Sequence, residues 1–198
     1  MAQARQISST GWYHAIGRGN NRQALFRREI DFLKFLELLE NYQNRYPFRI
    51  SHYCLMPNHV HLLLFSEFRE ILSKSLQGLN LSYSWWYRKR YSFCGHVWQG
   101  RFKSFPIEKD SYLLECGRYI ERNPVNAGMV SDPKDYSWSS YRFYTEGAEN
   151  PWLSPDPGYL EFSSDGAERR RRYREYVTAV RPYETPSPER LLPIFQGW

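Results

Sequence analysis

Apolar positions in this chain change period several times, and each change predicts an element. Trp12 to Gly17 is a short apolar run ended by RGNNR, whose glycine and asparagines predict a strand followed by a basic loop. From Ile30 to Tyr46 the apolar residues fall at Phe32, Phe35, Leu36, Leu39, Tyr42 and Tyr46, an amphipathic helix that Pro47 stops. Ile50 to Leu55 and His59 to Phe65 are strand-like runs on either side of Met56-Pro57-Asn58, which predicts an antiparallel hairpin. The second run is apolar on both faces, as in a central strand. Phe68, Ile71, Leu72, Leu76, Leu79, Tyr83, Trp86 and Tyr87 return to helical spacing, and Val97 to Ile107 alternates as a strand with an irregularity at Gly100. Asp110 is placed to cap a third helix through Tyr112, Leu113, Cys116 and Ile120, with an end expected near Asn123 because Pro124 follows.

The order β, α, β, β, α, β, α predicts an α+β fold, a ferredoxin/RRM-like split βαβ sandwich whose central antiparallel sheet is backed by helices. Past Tyr144 the patterning fades. EGAENPWLSPDPG reads as loop, ERRRRYREYVTAV as a short basic helix and RPYETPSPERLLP as irregular. The expected division is a domain over residues 1–150 and a basic, proline-rich C-terminal extension over 151–198.

Composition narrows the class. At 198 residues and 41% hydrophobic content, the chain has enough apolar material for one buried core. It has no apolar run of membrane-spanning length and no secretory h-region, so a cytoplasmic protein, associated with the nucleoid and not with membranes, is expected. Cys54, Cys94 and Cys116 are odd in number and unpaired in spacing, and read as reduced core thiols. The net charge of +6 is segregated. Residues 1–28 contain no acid but carry Arg5, Arg18, Arg22, Arg27 and Arg28, and the acid-free stretch 71–107 carries Lys74, Arg88, Lys89, Arg90, Arg101 and Lys103. Such patches attract a polyanion. Aromatics interleave with the cations in SWWYRKRYSF and HVWQGRFKSF, a pairing suited to stacking unpaired bases while phosphates are held.

Two spacings carry chemistry. His59 and His61 flank Val60 on a strand, so the period of two projects both imidazoles from one face toward one metal ion. Tyr119 and Asn123 share a helical face, and of the 16 tyrosines only Tyr119 has a carboxylate, amide or histidine four residues on. A phenol is a weak nucleophile at neutral pH, but a metal on the scissile phosphate favours its in-line attack. The resulting phosphotyrosine keeps the energy of the broken bond, in keeping with the lack of a GxxxxGK[ST] loop in the sequence. A non-catalytic single-strand nucleic-acid-binding module of RRM-like fold accounts for the charge and the rings, but leaves these four residues as coincidence.

MPNHVHLLL, WQGRFKSF and RYIERNPVNAG, in this order, resemble the single-tyrosine transposases of the IS200/IS605 type, in particular the REP-associated tyrosine transposase branch, over about residues 11–144. The resemblance implies an HUH endonuclease-type fold, Tyr119 as nucleophile, and a metal site of His59, His61 and Asn123 holding Mg²⁺ or Mn²⁺. It implies single-stranded DNA with a hairpin, such as REP-type palindromic repeats, as the partner of a monomer or homodimer. The candidate DNA contacts are Arg18, Asn20, Asn21 and Arg22 in the GRGNNR loop and Trp98, Arg101 and Lys103 in the basic aromatic block, with Arg169 to Arg172 as a further candidate.

Overall fold

The structure is a computed structural model that describes residues 8–109 and 112–181. A four-stranded antiparallel sheet has the order β2-β3-β1-β4, with β1 over Trp12–Arg18, β2 over Arg49–Met56, β3 over His59–Phe65 and β4 over Lys103–Pro106. Helices α1 (Glu29–Arg45) and α2 (Arg69–Tyr91) follow β1 and β3, which completes the predicted split βαβ order. Asp31 fixes where α1 begins, because its buried carboxylate accepts the backbone N–H groups of Arg27 and Arg28 and the hydroxyl of Tyr91 at the far end of α2.

Strand alternation sorts the sheet into two faces. Tyr13, Ala15, Val60, Leu62 and Leu64 pack with α1 and α2 in the larger core. Trp12, Cys54 and Leu63 turn the other way and pack against Leu113, Cys116 and Ile120 of α3 (Leu113–Asn126). His59 and His61 have the parity of Leu63 and so lie on the α3 face.

Three local expectations change. The strand expected over Val97 to Ile107 is reduced to β4, because Gly95 and Gly100 take positive φ and the chain between them loops along the sheet edge. Helix α3 runs through Pro124 to Asn126 instead of ending near Asn123. Proline costs only one hydrogen bond so close to the terminus, and the Asn123 side-chain amide reaches back to the carbonyls of Tyr119 and Ile120. Cys94 is exposed, whereas Cys54 and Cys116 are buried. Asp110, the expected cap, lies outside the described residues, as does the proline-rich stretch from residue 182 onward.

Residues 141–178 form α4 (Tyr141–Glu146), α5 (Pro157–Glu161) and α6 (Gly166–Thr178) around a tyrosine-rich cluster. A buried ionic network ties them to the sheet. His52 on β2 meets Glu121 Oε1 through Nδ1 at 3.0 Å and Asp156 Oδ2 through Nε2 at 2.8 Å. Glu121 also accepts from Ser140 Oγ at 2.7 Å and from the Tyr173 hydroxyl at 3.0 Å, and Asp156 Oδ1 caps α5. Gly117 gives the ring its room, since a Cβ there would sit 2.7 Å from His52 Nε2.

Burial pulls the His52 imidazole down, but hydrogen bonds and charge from Asp156 and Glu121 outweigh it and push the ring up to about 9. A raised folded-state value stabilises fully below the unfolded value near 6.5 and is lost as pH rises toward 9. The melting temperature should therefore fall by roughly 5–10 °C between pH 6.5 and 9. His52→Gln should melt lower at pH 6 and lack this slope; equal slopes in the two thermal-melt series would refute the assignment.

Candidate active site and nucleic-acid interface

The β1–β3 register sets His61 opposite Ile16 and His59 opposite Arg18, while Lys103 of β4 pairs with Ile16 from the other side. Directly paired residues share a face, so the histidine pair and Arg18 and Lys103 lie on the α3 face together. Helix α3, docked there by Leu113, Cys116 and Ile120, brings Tyr119 over the histidines. The Tyr119 ring centroid is 5.8 Å from that of His61, and the His59 and His61 rings are 5.0 Å apart. Asn123 lies one turn on from Tyr119 along α3. Its amide nitrogen donates to the Tyr119 carbonyl at 2.9 Å, which orients the group.

His14, not singled out by the sequence, joins the site. Its Nε2 is 2.9 Å from His61 Nδ1 and its ring is 6.0 Å from Tyr119. His59 Nδ1 is 2.7 Å from Asn58 Oδ1. With Nδ1 engaged in both rings, Nε2 is the nitrogen each has for a metal. Burial pulls His14 down to about 3 and, aided by the charge of Arg18, His59 to about 4. Burial, with His14 and His59 nearby, holds His61 well below its ordinary value. All three are neutral at pH 7, the form that ligates.

His59, His61 and Asn123 are the side chains here that could hold a divalent ion, and the described residues contain no group of three or more His, Cys, Asp or Glu side chains arranged for a metal. Tyr119 is raised above the ordinary tyrosine value, chiefly by burial and then by Cys116, against a lowering contribution from Asn123. The phenol is therefore protonated at neutral pH.

Arg18, Asn21, Arg22, Arg101 and Lys103 line one cleft of about 590 Å³ beside the histidines. Asn21 and Arg22 take positive φ, an unusual conformation for arginine. The loop is pinned to the β2–β3 turn, because Gly19 N donates to Asn58 O at 2.8 Å and Asn58 Nδ2 to Arg22 O at 3.3 Å. Asn20 sits in the same turn without lining the cleft. Trp98 departs from the sequence expectation. Its ring is 8% exposed, packs with Phe35, Tyr83 and Phe102, and donates its N–H to Asn80 O, so it is core and no stacking platform. On α6, Arg171 and Arg172 pair with Glu168, and Arg171 also with Glu175, so much of that basic run is neutralised within the helix.

This fold is that of a known transposase structure. A REP-associated tyrosine transposase bound to a REP hairpin superposes with a TM-score of 0.60 at 19% identity, covering 79% of this chain and 93% of that one. A family model described as "Transposase IS200 like" matches residues 7–123, and the chain belongs to that family. A protein of Haemophilus influenzae (strain ATCC 51907 / DSM 11121 / KW20 / Rd) described as "Putative REP-associated tyrosine transposase" is 31% identical over 112 residues. That match covers 48% of this chain and 60% of the relative's length. No helix of the described residues is long and apolar enough to cross a membrane.

Proposed function

We propose that this protein is a metal-dependent single-strand DNA endonuclease and strand transferase that acts on hairpin-forming REP-type repeats in the cytoplasm, with Tyr119 as nucleophile. The observation that carries the reading is the convergence of the Tyr119 phenol, the His59 and His61 rings and a basic cleft on one face of the sheet. The hairpin substrate is supported by the fold shared with a transposase bound to a REP hairpin.

In this mechanism Arg18, Arg22, Arg101 and Lys103 hold the backbone across the cleft, so that a phosphate beside His59 faces the phenol. Mg²⁺ or Mn²⁺ held by His59, His61 and Asn123 would neutralise charge on that phosphate and polarise it. The Tyr119 oxygen bonds to phosphorus as its proton leaves, the phosphodiester P–O bond opposite breaks, and the departing fragment keeps a hydroxyl that takes up a proton. Reversal by another hydroxyl transfers the strand without ATP.

A hairpin with a single-stranded flank should bind more tightly than a blunt duplex of equal length, and affinity should fall steeply with salt. Arg18→Ala and Arg101→Ala should each flatten the log affinity against log salt slope by about one. Unchanged slopes in a polarisation titration would remove these residues from the interface.

A further inference from the structure

A second cleft, of about 1130 Å³, opens between α1, α2 and residues 96–102. It shares Gly100 and Arg101 with the basic cleft, so the two meet at the β4 edge of the sheet. Trp85 is 67% exposed and Leu81, one turn earlier on α2, is 64% exposed. A tryptophan and a leucine held in water at consecutive turns lose apolar burial, and both border this cleft. Lys89 Nζ stands 5.4 Å from the Trp85 ring centroid, and Arg88 lies on the same wall.

Asn80 lines the cleft at its base: it is 9% exposed, and its backbone oxygen accepts the Trp98 indole N–H, which fixes this wall in place.

We propose that this cleft receives one unpaired nucleobase of the single-stranded DNA as it passes from the basic cleft around Gly100 and Arg101. The base stacks on Trp85 beside Lys89, and Arg101 holds the phosphate at the corner. Aromatic stacking tolerates any base. The site deepens the DNA-cleavage reading and rests on it for its ligand, but its residues lie outside the Tyr119 centre.

The test replaces each nucleotide of the single-stranded flank of a labelled hairpin by an abasic residue, and measures affinity for the full chain by polarisation. One position should weaken wild-type binding about tenfold. Trp85→Ala should bind the intact flank about tenfold more weakly, lose the sensitivity at that position, and form the covalent adduct normally at saturating DNA. Wild-type affinity in Trp85→Ala, or an abasic loss undiminished in it, overturns the base site while normal adducts leave the tyrosine reading standing. Loss of adducts in the wild type sinks the tyrosine reading, and the abasic scan still decides on the cleft.

Discussion

Tyr119→Phe should abolish both cleavage of a labelled hairpin and the protein–DNA adduct that survives boiling in detergent. The substitution removes one oxygen and keeps the ring, which packs beside Leu113, Cys116 and Ile120 and stands edge-on to His14 and His61. Stability should change by less than about 1 kcal/mol. Hairpin affinity should stay within a few fold, since the cations proposed to hold the backbone line the neighbouring cleft. Tyr112→Phe is the matched control: Tyr112 is exposed, precedes α3, and has Cys116 four residues on. An adduct formed by Tyr119→Phe would assign the nucleophile elsewhere, and cleavage by the wild type without any adduct would make water the attacker.

Loss of the metal should be as complete. His59→Ala, or EDTA added to the wild type, should remove cleavage while circular dichroism and most of the hairpin binding persist. His59 is the cleaner substitution because it is only partly buried and its Nδ1 pairs with the neighbouring Asn58 instead of a distant segment. His61→Ala should also abolish cleavage, but His61 is buried and partners His14, so it should cost a further 1–3 kcal/mol or so of stability. Rescue of EDTA-treated protein by Mg²⁺ or Mn²⁺ would identify the ion. Full cleavage in EDTA, or global unfolding of His59→Ala, would mean that the pair is a core feature and no metal site.

Much of the site is legible in the order of residues alone. Period-two alternation puts His59 and His61 on one face, and a separation of four puts Tyr119 and Asn123 on one side of a helix. The same local rules predict α1, α2 and the β2–β3 hairpin, whose strands pair as expected around Pro57 and Asn58. Local rules misplace Trp98, because a tryptophan between basic residues has the composition of an exposed platform, while its burial depends on Phe35 and Tyr83 far away in sequence. They also end α3 too early at Pro124, because the lost hydrogen bond is offset by an asparagine side chain whose rotamer no periodicity encodes.

By itself, then, the sequence determined which residues share a strand face or a helix face, for those relations follow from the covalent geometry of a few neighbouring residues. Only the tertiary structure decided that the two faces meet. The encounter of Tyr119 with the histidines depends on α3 docking against the sheet, at a depth set by Gly117 beneath His52 and held by the bond of Glu121 on α3 to His52, which Asp156 meets from a distant segment. His14 entered the site for the same reason: β1 and β3 are far apart in the chain, and only their register puts its Nε2 against His61.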